Sequence, residues 1–188
     1  MNNKTTTWVI DPLHSEVLFK IKHLVISTVT GSFKKFEGRA VSPGEGFDDA
    51  KISFSIDVAS IDTNQAQRDQ HLREGDFFSA DLYPKITFES TSFVNKGGNE
   101  FKMAGNLTLK GVTKPVELNV EYGGSEKSMQ GVVKHGFEVT GTINRKEFGM
   151  AWNVVTDAGN LGLGEDIKLV ANIQVSELVE EVEPAAVN

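Results

Sequence analysis

A period of two governs this chain from Ser15 to Glu177. Ile52, Phe54, Ile56 and Val58 alternate with Lys51, Ser53, Ser55 and Asp57, and because successive strand side chains point to opposite faces, the segment has one apolar and one wet face. Val17, Phe19, Ile21 and His23 do the same against Glu16, Lys20 and Lys22, with Leu18 among the latter. The rhythm recurs in residues 29–33, 86–88, 101–109, 116–122, 135–143 and 167–175, which makes eight predicted strands. Asn95-Lys96-Gly97-Gly98-Asn99 and Gly123-Gly124-Ser125 supply the positive-φ positions of tight antiparallel connections. Eight antiparallel strands with one apolar face each must stack as a sandwich or close on themselves, and only closure removes the edges. The expected fold is all-β, an eight-stranded antiparallel barrel. At that strand number the interior is either just filled by side chains or able to hold one small ligand.

Two stretches break the alternation. Residues 64–74 lack β-branched side chains and end at Gly75, which predicts one short helix with a glycine stop. Residues 144–166 are glycine-rich and irregular. Within them, Gly159-Asn160-Leu161-Gly162-Leu163-Gly164 has neither the order nor the strand-to-helix setting of a nucleotide loop, and reads as a flexible loop. The acidic stretch 178–188 is expected to fray, which leaves 8–177 as the folded barrel.

A length of 188 residues suits a single domain. With 19 Lys+Arg against 26 Asp+Glu, a formal charge of −7, the chain has no basic surface for a phosphate backbone, and nucleic acid is not an expected partner. The lack of cysteine removes disulfides, thiolate metal sites and cysteine nucleophiles together. No run approaches the roughly 18 apolar residues of a membrane span. The first residues lack the apolar centre of a signal peptide, which points to the cytoplasm as written, or to the periplasm if a leader has been removed.

Phenylalanine supplies 12 residues against two each of Trp and Tyr, and the inward set is almost free of polar atoms, so any cargo must be apolar. By phase, the candidate lining is Phe19, Ile21, Phe33, Phe54, Ile56, Phe88, Met103 and Phe137, joined by His23, Phe36, Phe148 and Trp152. A filled core and a lined tunnel demand the same residues. His14, His23, His71 and His135 sit on separate elements without ligand spacing, so no metal site is predicted. His23 is in phase with the inward set and needs a partner there, either backbone or cargo. Arg68, His71 and Leu72 share one helical face; they are head-group candidates at the barrel mouth, unless Arg68 and Asp69 only staple the helix to neighbouring loops. Arg145, beside Phe148 and Trp152, is a further head-group candidate or a bend residue satisfying carbonyls. Asp69 and His71 form an acid–base pair on paper, but the motif holds no nucleophile, and no catalytic residue is assigned.

Ordered segments along the chain carry a resemblance. They are Trp8-Val9-Ile10-Asp11, His14-Ser15, Lys22-His23-Leu24, Gly31-Ser32-Phe33, Phe36-Glu37-Gly38 and Ser60-Ile61-Asp62-Thr63. Arg68-Asp69-Gln70-His71-Leu72, Asp76-Phe77-Phe78, Tyr83-Pro84-Lys85-Ile86-Thr87-Phe88, the run from Gly105 to Val116, and Asn144-Arg145-Lys146-Glu147-Phe148-Gly149 follow. In this the chain resembles the YceI-like family of lipocalin-like, polyisoprenoid-binding proteins from Trp8 to about Glu177, although Glu147 stands where the family pattern commonly has Asp and the export signal of many members is missing. The resemblance implies a lipocalin-like barrel that binds, without catalysis, a long-chain isoprenoid or similar amphiphilic lipid for transport, storage or sequestration. It implies no cofactor beyond a bound isoprenoid, quinone or fatty-acid-like lipid, and leaves a homodimer open. The alternatives are an enzyme acting on a hydrophobic isoprenoid-type substrate through Asp69, His71 or Arg145, and a structural module with a filled core.

Overall fold

Antiparallel pairing carries the chain once around and back to its start. The structure, a computed structural model, describes residues 5–179. Its elements are β1 (Thr5–Ile10), β2 (Glu16–His23), β3 (Ser27–Phe33), β4 (Phe36–Pro43), β5 (Lys51–Asp57), β6 (Ile61–Asp62), α1 (Ala66–Arg73), β7 (Lys85–Gly97), β8 (Glu100–Leu109), β9 (Val112–Lys127), β10 (Val133–Asn144) and β11 (Leu163–Glu177). The order β1-β4-β5-β7-β8-β9-β10-β11 closes through a β1–β11 pairing. The remaining three strands lengthen three of these walls: β2 continues β1 along β11, β3 continues β4 along β2, and β6 continues β5 along β3. The result is the expected closed, eight-walled antiparallel barrel with one helix. Among the described residues no helix is long and apolar enough to cross a membrane.

The first wall breaks at Asp11, where a 3-10 turn at Pro12–His14 separates β1 from β2. Asp11 accepts hydrogen bonds from Leu13 N, Lys134 Nζ and Gln174 Nε2 and pairs with His14 Nδ1. The His14 contact first, then Lys134 and Leu13, hold its carboxyl down to about 2 against the opposing effect of burial.

The alternation did not reveal β1 or β4. In β4 the inward positions are Gly38, Ala40 and Ser42, too small to register as an apolar face, and they are small because large neighbours need the room. A Cβ on Gly38 would collide with Ile10 and with Phe54, its cross-strand partner. Gly31 stands in the same relation to Phe19, whose ring lies across it.

Two local expectations need correction, and a third lies outside the described residues. The helix is shorter than 64–74, and no glycine stops it: Glu74, in extended conformation, donates its N–H to His71 O, while Phe78 N and Ala80 N return to Leu72 O and Arg73 O. The segment expected as a flexible loop near 159–164 folds into a small hairpin with a Val155–Leu161 bridge, closed by Gly162 N to Val154 O, before β11 begins at Leu163. Finally, the stretch 178–188 falls outside the described residues from 180 onward.

Candidate functional site

Inward side chains of the eight walls do not meet in the middle. They enclose a cavity of about 630 Å³ that runs along the barrel, within the range of small-ligand sites. Phe19, Ile21, Phe33, Phe54, Ile56 and Phe88 line it, as do Met103 and Phe137. Their large rings stand beside small inward partners, Gly31 for Phe19 and Gly38 for Phe54, and this pairing of large with small leaves the axis open.

One end is sealed. Trp8, 5% exposed, donates its indole N–H to Ser42 Oγ at 3.0 Å. Phe47, from the connection after β4, lies 4.6 Å from Trp8 between ring centroids. The His135 ring stands edge-on to both, at 5.0 and 5.1 Å, and its Nδ1 is 2.9 Å from the Tyr122 hydroxyl. Burial among these rings pushes the His135 pKa below its ordinary value. Thr6 Oγ1, buried in the same wall, has no partner among the described residues. Only part of this seal is legible in the sequence: Tyr122 and His135 are in phase with their strands' apolar faces and Trp8 carries a family motif, but nothing singles out Ser42 or Phe47.

The other end is the mouth. Here β6 covers only Ser32 and Phe33 of β3, and the chain from β6 to β7, which carries α1, fills that side. Thr63 N and Oγ1 donate to Asp69 Oδ1, at 2.8 and 2.6 Å, and Arg68 donates to Thr63 Oγ1 and Thr63 O, both at 2.7 Å. The stapling role weighed for Arg68 and Asp69 is thus the geometry found, although Arg68 also lines the cavity. His71 does not pair with Asp69. Its Nε2 lies 2.9 Å from Asp76 Oδ2, and its ring meets Phe77 and Trp152 edge-on at 5.1 Å each.

Among the described residues Arg145 is the most deeply buried charge, 1% exposed. It donates through Nε to Gly164 O at 2.8 Å and through one terminal nitrogen to Met150 O and Trp152 O at 2.6 and 2.8 Å. Burial lowers its pKa, with Glu165 opposing. Among the described residues no carboxylate lies within ion-pair distance of it, since Glu165 pairs with Lys146. It is the bend residue satisfying carbonyls, set on the cavity wall at the mouth.

Other candidates fall differently from their phase. His23 lines the cavity but stands exposed at its rim instead of pointing into the interior. Phe36 is off the cavity wall because its ring is stacked on Phe54, which takes that face. Phe148 is also off it, 1% exposed within the core beneath the turn Arg145–Phe148. Trp152 lines the mouth. Among the described residues no group of three or more His, Asp or Glu is arranged to hold a metal ion.

This arrangement can take up one elongated apolar molecule, with Arg68, His71 and Arg145 gathered at the mouth. Known proteins share the sequence pattern and the fold. A UPF0312 protein of Staphylococcus aureus (strain USA300) is 39% identical over 172 residues, covering 91% of this chain and 98% of its own. A Campylobacter jejuni YCEI protein of known structure superposes with a TM-score of 0.70 at 34% identity, over 85% of this chain and 91% of its own. A polyisoprenoid binding domain from Saccharophagus degradans, implicated in plant cell wall breakdown, shares the fold at 14% identity, with a TM-score of 0.63 over 91% of this chain and 98% of its own. The family model described as the YceI-like domain matches residues 8–175. The chain belongs to the YceI-like family.

Proposed function

We infer that this protein binds, without transforming it, a long-chain isoprenoid or similar amphiphilic lipid, holding the chain in the barrel and the polar end at the mouth. The observation that carries this is the cavity itself: about 630 Å³, walled by Phe, Ile, Leu, Val and Met and sealed at the Trp8 end. At about 30 Å³ per methylene-sized group, a water's share of liquid volume, it takes on the order of 20 carbons. Burying them at about 0.8 kcal/mol each supplies roughly 16 kcal/mol, against about 4–15 kcal/mol for association and ordering. An apolar cavity of this size left empty forfeits dispersion contacts along its walls. The ligand class named for the Saccharophagus domain, a likeness of fold, agrees with this chemistry.

Head-group contacts then fall to the uncommitted N–H groups of Arg68 and Arg145 and to His71, where burying polar atoms costs least. Mass spectrometry of the organic extract of purified protein tests the reading. A stoichiometric amphiphile with a chain of that order is expected. A protein that carries none, and takes up none when incubated with a labelled isoprenoid, refutes it, and conversion of an isoprenyl diphosphate would replace it with the enzymatic reading.

A further inference from the structure

The mouth is bordered by apolar side chains that nothing among the described residues covers. Val25, Ile26, Val154 and Val155 are 61, 85, 53 and 65% exposed, and Leu24, Leu161 and Trp152 are exposed beside them. Two tips present these residues, the turn between β2 and β3 and the hairpin around Val155 and Leu161. They are joined by Leu24 N donating to Gly162 O, and Gly162 N in turn donates to Val154 O within the hairpin. Exposed apolar residues elsewhere, such as Leu13, Leu82, and Met129 with Val132 and Val133, stand away from the cavity. At the mouth they are contiguous, and Leu24, Trp152 and Val154 both line the cavity and stand in solvent. No residue between His23 and Lys34, or between Glu147 and Asp157, carries a charge.

The turn also carries backbone strain. Leu24 and Val25 adopt φ of 50° and 66°, positions that glycine, asparagine or aspartate fill at little cost in a hairpin and a β-branched residue fills poorly. Such strain persists where function retains it.

We propose that this apolar rim is a bilayer-docking face: Leu24, Val25, Ile26, Val154 and Val155 insert among the lipids of a zwitterionic membrane surface, so that cargo passes between bilayer and cavity without crossing water. The proposal rests on the lipid-binding reading, because it is the cavity mouth that the rim surrounds. The occupant is a zwitterionic lipid surface because the inserting residues lie in stretches without a cation, the one charge on the hairpin turn, Asp157, is acidic, and the chain as a whole, at −7, is repelled by anionic lipid.

Flotation of the full chain with palmitoyl-oleoyl phosphatidylcholine vesicles tests it, in parallel with mass spectrometry of its cargo. The wild-type protein should float with the vesicles, little affected by salt. The double variant Ile26→Glu, Val155→Glu should lose about tenfold or more in partitioning while keeping its circular dichroism and its cargo. Failure of the wild type to float, or equal flotation of the double variant, overturns the proposal. So does a concentration-dependent dimer that the double variant disperses with no vesicle binding by either, since a second copy would then be the occupant. Flotation intact with a cavity that never holds lipid would sink the carrier reading instead and leave the docking face standing.

Discussion

Replacing Arg145 by methionine isolates what a buried guanidinium does at the mouth. The side chain makes three hydrogen bonds of 2.8 Å or less to Gly164 O, Met150 O and Trp152 O, which hold the connection after β10 against the start of β11. Hydrogen bonds from a charged donor contribute about 1.5–3 kcal/mol each, and carbonyls left buried and unpaired cost about 1–3 kcal/mol. Two effects reduce the sum: methionine no longer has to be desolvated as a charge, and Trp152, 37% exposed, lets water reach its carbonyl. A net loss of about 2–4 kcal/mol follows, a fall in Tm of roughly 4–16 °C for a chain of this size. Urea unfolding followed by circular dichroism measures it, and limited proteolysis should show faster cleavage near Gly159 as the hairpin is released. Arg145→Lys sharpens the test: a point charge cannot span carbonyls on both sides of the connection, so it should recover less than half of the loss. A loss under about 1 kcal/mol for methionine, or full recovery with lysine, would show that the fork of hydrogen bonds is not what holds the mouth.

Ile56→Trp adds volume at a wall position without adding charge, and should displace lipid from the extract while costing no more than about 1–3 kcal/mol in stability; undiminished lipid content would remove the cavity as the binding site. Burial lowers the His135 pKa from 6.5, so stability is fully present above that value and falls as pH drops below it, when the unfolded chain takes up a proton that the folded one resists. His135→Gln should flatten the urea midpoint between pH 7 and 5, and an unchanged slope would contradict this. Asp11 is held down to about 2 from 3.8, so its contribution is complete above the higher value and vanishes as pH falls toward the lower. Asp11→Asn should cost about 1–2 kcal/mol at pH 7, discounted for its partial exposure, and nothing near pH 2.

The barrel was legible because alternation is a direct image of a two-faced wall, and Phe19, Ile56 and Met103 needed only their phase to be assigned inward. Phase says which face a residue takes but not how far its side chain reaches or what stands opposite. Phe36 obeys its phase, pairing with Ile56 across the sheet, yet its ring stacks on Phe54 and never reaches the cavity. Whether the interior is filled or open turns on the same missing knowledge. It depends on large residues meeting small ones across walls, Phe19 over Gly31 and Phe54 over Gly38, pairs that exist only once register is set. The mouth was harder still. Arg145 and Arg68 stood out as cations near aromatics, but a guanidinium reads alike in a sequence whether it awaits an anion or is spent on carbonyls, and only the positions of Gly164 O, Met150 O and Thr63 O decide that most of both is spent. What remains uncommitted at this end is a few N–H groups set inside a rim of exposed Leu, Val, Ile and Trp. A ligand entering here would therefore be selected first by the length of its chain and only then by its head.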